Sequence, residues 1–142
     1  MTDLLTTLDN HQLWLDGDPA GVRADFTDAD LRGAILYGAN LTGANLIGVN
    51  LRGADLFDVD LTGVDLRGAD LTDADLTDAN LSFANLTVAN LTVADLTDAN
   101  LFKAVLTDAT LLLANLSGVN LTGADLTRAN LTHVDLSVAI RD

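Results

Sequence analysis

The sequence predicts an all-β solenoid, and three observations carry that prediction. Leucine returns every fifth residue, Ala or Val stands two places before each leucine, and Asp or Asn fills the place between. Residues 24 to 138 form 23 consecutive units of five, without an insertion. Taking the third residue of each unit as its centre, the centres run from Phe26 through Leu31 and Leu36 to Leu136, and all but the first are Leu. The first place is Ala in 18 units and Val in five (Val49, Val59, Val64, Val119 and Val134). The place before the centre holds Asp in ten units and Asn in ten, with Ile35, Val105 and Thr110 as departures. The place after it is Thr or Ser in 15 of the 23 units, and the fifth place is variable.

Neither standard period explains a repeat of five. On an α-helix five residues advance about 500°, so the leucines would spiral without forming a stripe. On a straight strand an odd period would send successive leucines to opposite faces. A chain that turns a corner every five residues places every centre inside, and the Ala or Val two places earlier points inward with it. Asp and Asn at the intervening place suit turn geometry, because their side chains bond nearby backbone. Thr after the centre suits an exposed strand position. Stacked coils, about 4.8 Å apart, follow from these choices.

The pattern Ala-(Asp/Asn)-Leu-Xaa-Xaa resembles the pentapeptide-repeat family over about four-fifths of the chain. That resemblance implies a right-handed, four-sided β-helix with four units per coil, hence nearly six coils here. It divides the chain into a short helical cap and lead-in turn (1–23), the β-helix (24–138) and a tail (139–142). The ends of a solenoid need covering. Residues 3–15 read as a short helix ended by Asp16-Gly17-Asp18-Pro19, with Leu8, Leu13, Trp14 and Leu15 expected to plug the first coil. No such plug is evident after Leu136. Leu131, Leu136, Val138 and Ile140 are therefore expected to form an end-to-end dimer contact, against the plainer expectation of a frayed end covered by Ile140.

Composition excludes several function classes. The formal charge is −14, all 21 acids are Asp, and there is one Lys with six Arg, so direct binding to nucleic acid is not expected. Without Cys or Glu, and with His11 and His133 at opposite ends of the predicted rod, no nucleophile, base and orienter converge; neither enzymatic activity nor a cofactor is expected. A flat column of Asp lacks the wrapped oxygen cage of a Ca²⁺ site, so no metal is expected either. No run approaches a membrane span, and the N-terminus lacks a basic, apolar leader, so the expected location is the cytoplasm.

Two surfaces stand out. With four units per coil, Asp55, Asp75 and Asp95 form one column and Asp58, Asp78 and Asp98 a second beside it, with Asp70 and Asp73 on a neighbouring face. The acids at the fifth place are the more informative, because no packing role demands them there. Phe83, Val88, Val93, Phe102, Val105, Leu112 and Leu113 make an apolar contact surface at nominally outward places. Tyr37 and Phe57 are expected to stack nearer the N-terminus, with Ile35 and Ile47 close by. Arg32, Arg52 and Arg67 are expected to neutralise Asp rather than to bind phosphate.

Members of the quinolone-resistance type resemble short acidic rods that imitate duplex DNA and bind DNA gyrase or topoisomerase IV. The resemblance implies that Asp55, Asp58, Asp75, Asp78, Asp95 and Asp98, with Asp70 and Asp73, meet the basic DNA saddle of such an enzyme. This chain lacks the C-terminal dimerisation helix of the mycobacterial type and the interrupting loops of the plasmid-borne type. The alternative is a protein-interaction scaffold using the Phe83, Phe102 and Leu112 side. Ice binding is a remote third, since the Thr columns are broken by Arg32, Arg52, Tyr37, Phe57, Ile47, Phe102 and Leu112.

Overall fold

From Asp25 to Thr110 each unit pairs with the unit twenty residues on. In the computed structural model, which describes residues 4–140, parallel bridges join Asp25 to Asn45, Asp55 to Asp75, Asp75 to Asp95 and so on to Asn120 with Ile140. Twenty residues are four units, so each coil has four sides, taken here in order from the units at 24–28, 29–33, 34–38 and 39–43. Residues 1–3 and 141–142, the extremes of the expected cap and tail, lie outside the described residues. Each bridge is a single residue pair rather than an extended strand, and two backbone bonds secure it. Leu56 N–H donates to the Asp75 carbonyl at 2.8 Å, and Asp75 N–H donates to the Ala54 carbonyl at 3.0 Å.

The corners lie elsewhere than the sequence suggested. Ala79 N–H donates to the Leu76 carbonyl at 3.0 Å, closing a turn whose two middle residues are the fourth and fifth places of the unit. The fifth place has positive φ in 22 of 23 units, nine of them Gly; the exception, Val138, lies in a 3₁₀ turn spanning Leu136–Val138. One positive φ at the second middle residue is the signature of a type II turn. The fifth place is thus not loose. Gly fits it without steric penalty, and Asp tolerates it better than most residues.

The Asp and Asn of the second place sit on the bridges, not at the bend, and their contribution is specific. All twenty accept, through Oδ1, the backbone N–H two residues on, at 2.9–3.4 Å. That bond holds the first residue of the turn. The Thr or Ser in the turn often donates its hydroxyl to the same oxygen, as Thr92 does to Asn90 at 2.6 Å. The fourth place is therefore a turn position rather than the exposed strand position expected of it, and Thr72 and Ser82 are buried there.

The interior is filled by the leucines and the Ala or Val of each first place. Every centre from Leu36 to Leu121 is buried, whereas Leu126, Leu131 and Leu136 are half-buried at the C-terminal end. Val138 and Ile140 are exposed, and Ile140 pairs with the preceding coil by donating to the Val119 carbonyl and accepting from Leu121 N–H.

At the other end α1 (Leu4–Leu15) meets the first coil. Leu4 and Leu8 pack against the core, and His11, one turn further along the same helix face, is fully buried. This corrects the expected plug: Leu13 and Trp14 remain about 40% exposed, because they lie off that face, and Leu15 is half-buried. Trp14 stacks on His11 at 5.4 Å between ring centres. Gly21 is needed where the chain leaves the helix, since a Cβ there would overlap the backbone of Leu13 and Trp14.

His11 Nδ1 accepts the Ala24 N–H at 3.1 Å, so the neutral ring fastens α1 to the first unit. Burial pushes its pKa below the ordinary 6.5, with Arg23 acting the same way and the Thr42 backbone opposing. A depressed value in the folded state means that this contribution is complete above pH 6.5 and is lost as pH falls through the folded value. Protonation also sets a donor at Nδ1 against the Ala24 N–H. The emission of Trp14, the single Trp of the chain, is therefore expected to change as pH falls from about 7.5 to about 5. Emission flat across that range would contradict the fastening.

Candidate functional site

The four sides do not share the charge evenly. The third side, units 34–38, 54–58, 74–78 and onward, carries seven Asp and neither Lys nor Arg, which is half of the net charge of −14. On the other sides acids meet bases. Arg32 bonds Asp30 through two nitrogens, Arg67 bonds Asp65 at 2.8 Å, Arg128 bonds Asp108 at 2.6 Å, and Arg52 approaches Asp70 to 3.7 Å. These contacts pull the carboxyls of Asp30, Asp65 and Asp108 below the usual range, and the arginines act as the neutralising groups the sequence suggested. None of the described ion pairs includes an acid of the third side.

The bridge columns sharpen this contrast. The first side reads Asp25, Asn45, Asp65, Asn85 and the second reads Asp30, Asn50, Asp70, Asn90, so acid and amide alternate from coil to coil. On the fourth side, Asn80, Asn100 and Asn120 follow one another, and Asn100 and Asn120 each donate Nδ2 to the Oδ1 of the Asn one coil back, at 3.1–3.2 Å. Only the third side sets three carboxylates in succession, Asp55, Asp75 and Asp95. An ionised carboxylate cannot donate, so this column forgoes the amide ladder and brings like charges about 5 Å apart. Asn115 Nδ2 ends the run by donating to Asp95 at 3.1 Å.

The weight of evidence among the acids therefore reverses. Asp58, Asp78 and Asp98, like Asp73, have φ of 54–58°, a conformation in which Asp is a favoured substitute for Gly. The turn explains them. Local structure accounts less well for the unbroken choice of Asp over Asn at Asp55, Asp75 and Asp95, since Asn makes the same Oδ1 bond and adds a donor. Asp70 and Asp73 fall on the second side, beside Arg52, and are not brought together with the other six.

The apolar group is likewise divided. Phe83 and Phe102 lie on the fourth side, packed edge to face at 5.5 Å with the Lys103 ammonium 5.0 Å from the Phe102 ring centre. Val88 and Val105 are on the first side, and Val93, Leu112 and Leu113 on the second. Because the repeat turns a corner every five residues, Leu112 is opposite Phe102, and no single surface holds them all. Phe102, Val105 and Leu112 are half-buried. Phe83, Val88, Val93 and Leu113 are exposed and hold φ of 59–61°, where bulky and β-branched residues are strained. Replacing Val88 and Val93 with Asn should raise stability by roughly 1 kcal/mol each. A lower urea midpoint for the double variant would contradict strain at these corners.

Tyr37 and Phe57 stack as expected, at 5.4 Å and 10° between planes. Sequence reasoning missed His11, whose signal was its place on the Leu4–Leu8 face of the helix. Among the described residues no group of three or more acids or histidines converges as a metal site, and no helix is long and apolar enough to cross a membrane.

Comparison with known proteins agrees with this architecture. The family model for pentapeptide repeats matches in eight copies, over residues 24–63, 54–92 and 94–132. The solved structure of Rfr23, a pentapeptide repeat protein of the cyanobacterium Cyanothece 51142, is 25% identical with a TM-score of 0.56, covering 99% of this chain and 96% of its own. QnrB1, a plasmid-mediated fluoroquinolone resistance protein, is 20% identical with a TM-score of 0.56 over 83% of this chain and 70% of its own, and shares the fold. A search of curated proteins found no match. With the family model spanning most of the solenoid, the chain belongs to the pentapeptide repeat family.

Proposed function

We propose that this protein is a non-enzymatic acidic binding protein of the cytoplasm whose third side takes the place of duplex DNA on DNA gyrase or another type II topoisomerase. The observation that supports this reading is the unbroken run Asp55, Asp75, Asp95, flanked by Asp58, Asp78 and Asp98, on a side without Lys or Arg. A basic DNA-binding surface is attracted to such a field, and water or amide partners cannot neutralise it. Asp70 and Asp73 extend the negative field round one corner. The fold shared with a fluoroquinolone resistance protein is consistent with this role. The same reading takes the solenoid as right-handed with nearly six coils, capped by residues 1–23 and ending in the tail 139–142. Supercoiling by gyrase, measured with wild type and with the six third-side acids changed to Asn, tests it.

A second reading rests on Phe83, Val88, Val93 and Leu113, which are exposed at strained corners that Gly would fill more easily. It makes the protein a scaffold for a partner held where Phe83 and Phe102 pack together on the fourth side, with Val88 and Val105 round the next corner and Val93, Leu112 and Leu113 on the side beyond. A partner released by Phe83→Gly with Phe102→Thr, yet retained by the six-Asn variant, would favour it. End-to-end association through Leu131, Leu136, Val138 and Ile140 belongs to either reading. Light scattering should give twice the monomer mass at micromolar concentration, and a monomer mass would rule against it.

A further inference from the structure

The third side opens with a unit that has neither a charged nor an amide side chain. In residues 34–38, Ile35 takes the place that is Asp or Asn in twenty units, and Tyr37 takes the place usually held by Thr or Ser. Ile35 has no oxygen to accept the Tyr37 N–H, so the unit gives up the bond that steadies every Asp or Asn unit. Nor is the change explained by packing: Ile35 is 76% exposed and Tyr37 63% exposed. Tyr37 stacks on Phe57, and Ile35 bridges directly to Asp55, so this apolar patch is continuous with the acid columns.

We propose that Ile35, Tyr37 and Phe57 are the apolar anchor of the acidic side, and that their occupant is a basic protein segment carrying a large apolar side chain next to its Lys and Arg residues. This rests on the reading that the third side binds a basic protein. Charge complementarity selects that occupant. Seven Asp without a base repel nucleic acid, an anionic lipid surface and the same side of a second copy. Acid columns that repeat coil after coil do not distinguish one register from the next, whereas a patch at one end does. The anchor thereby fixes which way round the basic segment lies, and carboxylates alone would not.

Two fluorescent synthetic peptides test the anchor, one of Arg, Lys and Ser only, the other identical except for Phe and Leu at one end. Wild type is expected to bind the second roughly tenfold more tightly by anisotropy. The variant Ile35→Asn, Tyr37→Thr, Phe57→Thr carries the repeat's own commonest residues and should keep the fold. It is expected to lose that preference while still binding the first peptide. Equal binding of both peptides by wild type, a preference retained by the variant, or no binding of either peptide overturns the proposal. A preference with no effect on gyrase removes the topoisomerase target and leaves the anchor standing. Gyrase inhibition without a preference removes the anchor alone.

Discussion

Changing Leu76 to Ala is expected to lower the unfolding free energy by about 2–5 kcal/mol, the range for deleting a fully buried leucine. Leu76 is completely buried in the middle of the solenoid, with Leu56 and Leu96 at the same position in the coils on either side. The cavity cannot collapse readily, because the coil around it is held on all four sides by bridges and closed turns. At the C-terminal end the situation differs. Leu131 is only half-buried, so Leu131→Ala removes less area from the core and leaves a site open to solvent. In the monomer, with no second copy over the C-terminal coil, its effect should be less than half that of Leu76→Ala. Urea unfolding of the two variants checks the difference, and equal losses would contradict a core that is closed in the middle and open at one end.

The second large effect concerns the acids. Changing Asp55, Asp58, Asp75, Asp78, Asp95 and Asp98 to Asn should lower inhibition of gyrase by more than roughly tenfold, since it removes six of the seven charges on that side. The same change should leave stability unaltered or higher, most visibly at low salt where like charges are least screened. Each new Asn keeps the Oδ1 that accepts the turn N–H. At 55, 75 and 95 it also supplies the Nδ2 donor that Asn100 and Asn120 use between coils. At 58, 78 and 98 Asn suits the positive φ as well as Asp does. A clear drop in melting temperature would mean that the acids hold the fold together, and the functional argument from them would fail.

Much of the architecture was legible because the period of five has few solutions. The centres Leu36 to Leu121 and the Ala or Val two places before each could be assigned inward from the pattern alone. The corner was misplaced by two residues, at the second place instead of the fourth and fifth. Asp and Asn at the second place look like turn residues, and they do serve the turn, but through a side-chain bond reaching two residues ahead rather than by occupying the bend. Gly at nine of the fifth places was the available signal for positive φ, and it was obscured by Val88, Val93 and Leu113 at equivalent positions. This error decided which acids seemed unexplained. Asp73 and Asp78 are accounted for by backbone conformation, whereas Asp55, Asp75 and Asp95 stand out only when the alternating columns of the neighbouring sides are seen beside them. His11 escaped notice because a polar residue in a short helix is ordinarily solvated, and its burial depends on the Ala24 N–H, which the fold brings to it.

Charge on one side of the solenoid as a substitute for DNA is the central claim, and competition on gyrase measures it most directly. The wild-type protein should inhibit supercoiling and displace duplex DNA from the enzyme, with an effect that weakens as salt rises, while the folded six-Asn variant should do neither. No inhibition by the wild type, or equal inhibition by both proteins, would contradict it.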